Sequence, residues 1–237
     1  MTPSSVTRDP LTIRYLSRAD VEAAGVTMDA VIEAVETGFR EKGNGRVEMP
    51  PKPGVHPGDG DNFIHAMPAS IPGLDAVGIK WISGYPGNQA LGLPYITGLL
   101  ILNDPATGIP ISVMDATWIT GARTAAASAV SARYLARPDS SVLAILACGV
   151  QGSFHVDSLR AVLPGLTTIR AFDPDPARVA AFVEGVRGRH GIEVTATADP
   201  ESAVRGADVV VTSGPIVHTP HASIKGGWMA PGAFASA

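Results

Sequence analysis

Residues 141–173, SSVLAILACGVQGSFHVDSLRAVLPGLTTIRAFD, constrain this chain more than any other stretch. An apolar run from Val142 to Ala147 meets a glycine-bearing turn. A helical pattern follows, then a second apolar run that ends on Asp173. A dinucleotide-binding βαβ unit requires that order. The turn, Ala147-Cys148-Gly149-Val150-Gln151-Gly152, matches G-x-G-x-x-G with Ala at the first position. Gly149 lets the backbone approach a pyrophosphate, and Gly152 lets the helix pack closely on the strand. Val150 and Gln151 open a helix whose free N–H groups and partial positive charge face the phosphates. Asp173 lies 21 residues beyond Gly152, where a carboxylate hydrogen-bonds the ribose hydroxyls of NAD and repels the 2′-phosphate of NADP. NAD is therefore the expected cofactor. Ala147 keeps a plainer reading open, an ordinary βαβ crossover whose glycines only turn the chain.

Composition narrows the class. Of 237 residues, 45% are hydrophobic and 17% charged, enough for a sizeable core in one or two domains. A net charge of −4 without a basic run argues against a nucleic-acid partner. Cys148 is the single cysteine, which excludes an internal disulfide, offers no thiolate cluster for zinc and fits a reducing cytoplasm. The opening MTPSSVTRDP has no signal-peptide core. Apolar runs such as Gly98–Leu102 are too short to span a bilayer, so no membrane association is expected.

The pattern changes along the chain. Thr27 to Lys42 reads as a helix with an apolar stripe at Val31, Ala34, Val35 and Phe39, stopped by Gly43-Asn44-Gly45. Residues 46–61, rich in Pro and Gly, read as a loop. Strands are expected at 62–67, 76–83, 95–102 and 109–114, the last two joined by the turn Asn103-Asp104-Pro105-Ala106-Thr107-Gly108. A long Ala-rich helix, Thr117 to Ala136, follows. Beyond it, strands at 142–147, 168–173, 192–196 and 208–212, and a fifth near Ala233, alternate with helices as in a doubly wound parallel sheet. The expected fold is α/β in two domains: residues 1–125 for substrate and dimerisation, and residues 126–237 as a Rossmann-type NAD domain. The sequence stops inside the fifth strand, so a chain truncated at its C-terminus is expected.

An ordered set of motifs spans both regions: Gly78-Ile79-Lys80-Trp81-Ile82-Ser83, Pro86-Gly87-Asn88, Gly92-Leu93-Pro94, Leu102-Asn103-Asp104, Thr107-Gly108-Ile109-Pro110, Ile119-Thr120-Gly121-Ala122-Arg123-Thr124-Ala125-Ala126 and Gly149-Val150-Gln151-Gly152. In these the chain resembles the ornithine cyclodeaminase/mu-crystallin family. The Trp81–Asp104 stretch is similar to bacterial members sometimes labelled as a tyramine oxidase subunit. The resemblance implies a dimer-forming α/β substrate domain joined to a Rossmann domain, hence a homodimer. It also implies hydride transfer between a nicotinamide and the α-carbon of an amino acid or cyclic imine, as in cyclodeaminases, ketimine reductases and alanine-dehydrogenase-like enzymes. Mu-crystallin-like members keep a second class in view, a non-catalytic binding protein or accessory subunit.

Lys80, between Ile79 and Trp81, is by its residues alone either an edge-facing charge or an acid ligand; the resemblance makes it a ligand for the substrate carboxylate that can also polarise an imine. Arg123 is either a surface arginine whose stem covers its helix or, by resemblance, a second carboxylate ligand with a bidentate fork. Lys52 in Met49-Pro50-Pro51-Lys52-Pro53 stands where many members carry an arginine. As a point charge it departs from the pattern and puts ornithine itself in doubt, and a solvated loop lysine is the alternative. Thr124 is expected at the pyrophosphate and Gln151 at the diphosphate. Thr212 and Ser213 are expected on the nicotinamide side, unless they are only a strand-end turn. His65 reads as a satisfied structural residue. Cys148 reads as a spacer, or as a thiol of depressed pKa at a helix N-terminus. His218 and His221 lack the partners a metal site needs, so no metal is expected. The family's catalytic aspartate would fall beyond Ala237.

Overall fold

The computed structural model describes residues 12–58, 60–215, 219 and 222–237; His218 and His221 lie outside them. The chain forms two compact units. One comprises the residues up to Gly25 together with Thr37–Ile119, the other Val26–Glu36 with Thr120–Ala237.

The first unit is built on a mixed six-stranded sheet. Its strands are β1 (Arg14–Leu16), β2 (Gly54–Val55), β3 (Phe63–Ile71), β4 (Ala76–Gly84), β5 (Ile96–Asn103) and β6 (Pro110–Asp115), in the order β1-β6-β5-β4-β3-β2. β1 runs parallel to β6, and the other neighbours are antiparallel. The turn between β5 and β6 forms because the Asp104 carboxylate accepts the amides of Ala106 and Thr107 at 3.1 and 2.8 Å, an Asx-type closure. A short helix, α1 (Arg18–Ala23), follows β1 and starts with a capping box between Ser17 and Asp20.

Two local findings differ from the sequence expectation. The stretch 46–61 is not all loop: β2 pairs Gly54 with His65 and Val55 with Ile64, and Glu48 bridges Ser70. β3 also runs four residues past 67, through Pro68. Alternate amides of β3 donate to that same stretch, Ala66 to the Pro53 carbonyl at 3.0 Å and Ser70 to the Glu48 carbonyl at 2.8 Å. Pro68 falls between them, where the missing donor breaks no ladder bond.

The second unit carries a five-stranded parallel sheet of β7 (Val142–Leu146), β8 (Thr168–Phe172), β9 (Val194–Ala196), β10 (Val209–Thr212) and β11 (Phe234–Ser236), in the order β11-β10-β7-β8-β9. The order reverses between β7 and β10, so a crevice for ligand is expected at the C-terminal ends there. Both faces are buried. Leu143, Ile145, Ile169 and Val211 pack with helices α4 (Val150–Val162) and α5 (Pro176–His190). Ala144, Leu146 and Val210 pack with Ala203 and Val204 of α6 (Pro200–Val204) on the other side. Strands covered on both faces read as the unbroken apolar runs seen in the sequence. Two longer helices, α2 (Met28–Gly43) and α3 (Thr117–Leu135), each cross a boundary between the units. Among the described residues no helix is long and apolar enough to cross a membrane.

Asp208 anchors the start of β7. Its carboxylate accepts the amides of Ser141 at 2.8 Å and Val142 at 3.0 Å and pairs with Arg137. Burial alone would raise its pKa, but these bonds and Arg137 outweigh it and hold the group below the ordinary carboxylate range. Its stabilisation is therefore present above the unfolded carboxylate pKa and is lost as pH falls through the lowered folded value. Asp208→Asn is expected to cost about 1–3 kcal/mol at pH 7. In urea unfolding the gap to the parent should narrow as pH drops below about 4; a pH-independent gap would contradict the charge assignment.

Candidate functional site

The glycine turn sits between the end of β7 and the start of α4. Ala147 donates its amide to the Phe172 carbonyl at 2.9 Å and has φ of 85°. That left-handed backbone suits glycine and strains alanine. The departure from the glycine pattern at this position therefore leaves the turn strained. Gly152 is required for space, since a Cβ there would lie 2.6 Å from the Ala147 carbonyl oxygen. At Gly149 a Cβ would meet nothing within 4 Å, and the residue caps α4 without any side-chain hydrogen bond. The first amides of α4, those of Val150, Gln151 and Gly152, thus head a helix with no side-chain cap, which is what an anion needs.

Asp173 closes the turn from the end of β8. One carboxylate oxygen accepts the Cys148 amide at 2.9 Å, and the other accepts the Asp175 amide at 2.9 Å. Each oxygen keeps a lone-pair direction for a ligand hydroxyl. Asp173 also lines a cavity of about 690 Å³ with Pro174, Pro176, Val179, Thr197 and Ala198, at the ends of β8 and β9 and along α5. On the other side of the turn, the Ser213 hydroxyl donates to the Ala147 carbonyl at 3.1 Å, and Thr212 pairs with Leu146 at the end of β10. Gln151 has a buried side-chain oxygen without a partner, a group that a bound ligand could satisfy. These residues fit a dinucleotide. The structure gives Thr124 a different bond: its hydroxyl donates to the Thr120 carbonyl at 2.7 Å. The Cys148 thiol is buried, and burial followed by the Asp173 charge pushes its pKa up to about 12. The alternative of a depressed pKa at the helix N-terminus is thereby corrected, because desolvation outweighs the helix end.

His155 holds α4 to its neighbours. Its Nδ1 lies 2.7 Å from the Gln151 carbonyl, its Nε2 2.9 Å from the Ser128 hydroxyl, and that hydroxyl 2.7 Å from Ser236 on β11. The carbonyl can only accept, so Nδ1 carries the proton and Ser128 donates to Nε2. Burial lowers the pKa of this imidazole, which favours the neutral ring that the pattern requires.

Arg123 lies on α3 of the second unit. It is exposed by accessible area, yet desolvation by surrounding protein lowers its pKa from the usual guanidinium range. Lys80 lies on β4 of the first unit, opposite Met67 on β3 and Leu100 on β5, and is 9% exposed. Strand alternation places it on the same face as His65 and Ile82 and opposite Trp81. His65 sits on β3 within that face. Its ring stacks on Phe63 at 4.6 Å and meets His56 edge-on at 5.8 Å. Burial, then the charges of Lys52 and His56, lower its pKa. Lys52 is exposed and makes no ion pair among the described residues. Among the described residues, no group of three or more His, Cys, Asp or Glu is placed to hold a metal ion.

Comparison with known proteins agrees with this architecture. The profile of the ornithine cyclodeaminase/mu-crystallin family matches residues 14–237, and the chain belongs to that family. It is 42% identical over 201 residues to the nodulation efficiency protein NfeD of Rhizobium meliloti, covering 85% of this chain and 62% of that protein. Among solved structures, it resembles Thermococcus litoralis Δ1-pyrroline-2-carboxylate reductase in complex with NADH and L-proline. The TM-score is 0.88 at 32% identity, over 94% of this chain and 67% of that one. It also resembles an archaeal alanine dehydrogenase dimer with bound NAD, with TM-score 0.82 at 36% identity, over 94% and 66% of the two chains. The chain spans about three fifths of the length of the curated relatives it matches.

Because Ala147 holds a left-handed φ, Ala147→Gly is expected to stabilise the protein by about 1 kcal/mol in denaturant unfolding. A neutral or destabilising outcome would show that the turn does not carry that strain.

Proposed function

We propose that the chain belongs to an NAD-dependent enzyme that transfers hydride between the nicotinamide and the α-carbon of an amino acid or imine. The observation that carries this reading is the Asp173 carboxylate bonded to the Cys148 amide beside an uncapped α4. One acidic group thereby holds the phosphate-facing turn and presents its free lone pairs to ribose hydroxyls, which favours NAD over NADP. Gly149, Val150, Gln151 and Gly152 cradle the pyrophosphate. Thr212 and Ser213 lie at the strand end assigned to the nicotinamide side, and Thr124 at the pyrophosphate is part of the same proposal. Bound NAD supplies the hydride acceptor or donor.

Substrate recognition falls to cations. Lys80 and Arg123 bind the substrate carboxylate, with Lys52 as a further ligand. Lys80, mostly removed from solvent, also lies well to polarise an imine or orient a water, since its charge is screened less there than at the surface. The named activities of the relatives above, a pyrroline-carboxylate reductase and an alanine dehydrogenase, support this substrate class.

A homodimer is part of the proposal. The sheet face of the first unit opposite Lys80 leaves Trp81, Leu99 and Tyr15 exposed at 48%, 48% and 76%. The register places them in adjoining rows with Ile79, Ile101 and Val113. A contiguous apolar face of this kind is covered in stable proteins. A second copy is the occupant proposed, as in the archaeal alanine dehydrogenase dimer.

The test separates the two units. Asp173→Ala is expected to weaken NADH binding about tenfold or more, equivalent to about 1.4 kcal/mol, whereas Lys80→Ala should leave it within about twofold. Fluorescence titration of purified proteins measures both. Equal losses in the two variants would overturn the division of labour.

A further inference from the structure

The imidazole of His155, 4% exposed, lies one helical turn past Gln151, and both its ring nitrogens have partners within the second unit. The protons of this hydrogen-bonded chain are placed by elimination. The Gln151 carbonyl can only accept, so Nδ1 carries the proton and Nε2 accepts from Ser128. That uses the one hydroxyl proton of Ser128, so the Ser236 hydroxyl must donate across the 2.7 Å contact between the two serines. All three bonds therefore point the same way, from β11 through α3 to α4. The two helices are held together beside it. The Ser158 hydroxyl of α4 donates to the Ala125 carbonyl of α3 at 2.9 Å. Gly121 of α3 admits the Phe154 ring, which a Cβ there would meet at 2.4 Å.

The last bond of the chain lands on the peptide that heads α4. The Gln151 carbonyl and the Gly152 amide belong to one peptide unit, and resonance couples them. The first amide of α4 to find a helix carbonyl is that of Ser153, on Gly149 at 3.2 Å. The Gly152 amide, just before it, is one of those an anion can take. A proton donated to the carbonyl makes the amide of the same unit a stronger donor, and successive bonds of one direction strengthen one another. We propose that His155 is a positioning residue for the cofactor diphosphate: it fixes and polarises the 151–152 peptide so that the Gly152 amide meets a phosphate oxygen, and it ties that peptide through Ser128 to Ser236 on β11. The inference rests on the proposed NAD reading and deepens it. His155 holds and polarises, and transfers no proton. Cofactor affinity thereby depends on where β11, far along the chain from the turn, places its serine.

Nuclear magnetic resonance of the His155 ring and the Gly152 amide, with NADH titration alongside, tests it. The parent ring is expected to be protonated on Nδ1 and bare on Nε2. His155→Phe fills the volume without either bond. It should move the Gly152 amide proton upfield and raise the NADH Kd about tenfold. His155→Asn returns an N–H donor near the Nδ1 position and should bring the Kd back to within about threefold of the parent. Packing loss alone predicts the reverse order, since Asn leaves a cavity where Phe does not, and that order would overturn the inference. If His155→Phe does not fold, Ser236→Ala, at the half-buried end of the chain, must still move the Gly152 amide and weaken NADH binding about twofold or more. A parent ring protonated on Nε2, or a Gly152 amide and an NADH affinity unchanged in these variants, would overturn the inference and leave the NAD reading standing. A folded parent that binds no NADH would remove both.

Discussion

The hydrogen bond from the Cys148 amide to Asp173 ties together the parts of this molecule that matter most. It joins the end of β8 to the turn after β7, across neighbouring strands of a parallel sheet. The turn it fixes is not relaxed, since Ala147 occupies a backbone region that favours glycine. A strained turn persists only when its surroundings over-determine it. Here the restraints are the Ala147 amide on Phe172, the Ser213 hydroxyl on the Ala147 carbonyl and the Asp173 carboxylate on Cys148. Gly152 supplies the remaining condition by letting α4 approach that carbonyl. The first amides of α4 are positioned as a result, so the proposed cofactor recognition and the stability of the turn rest on the same few bonds.

Much of the second unit could be read directly from its residues. Strands buried on both faces must be continuous apolar runs, and the runs beginning near 142, 168, 192 and 208 contain the observed β7 to β10. Glycine positions and the spacing to Asp173 carried the turn. What the residues could not show was that Asp173 bonds the turn itself, or that Thr124 spends its proton on Thr120. Both depend on atoms brought together by folding. The Cys148 thiol illustrates the same limit: a helix N-terminus argues for a lowered pKa, and only the packing shows that burial prevails.

In the first unit the strands were legible and the packing around His65 was not. A two-residue strand such as β2 has no periodicity to detect, and it exists because the backbone of β3 offers it a partner. His65 looks ordinary until that pairing sets it over Gly54 and its ring meets His56 edge-on. Pro68 is a similar case. Its missing donor lies between the Ala66 and Ser70 amides, where no ladder bond is made. The sites legible in sequence were those built from contiguous motifs, and those made by register emerged only in three dimensions.

Asp173 holds the glycine turn and, in the proposed function, also meets the cofactor ribose. The most direct measurement is the ratio of the NADPH and NADH dissociation constants for the unmodified chain, from quenching of tryptophan fluorescence. A carboxylate at that position predicts NADH binding at least about tenfold tighter, because a 2′-phosphate would face a fixed negative charge. Equal affinities, or tighter binding of NADPH, would contradict it.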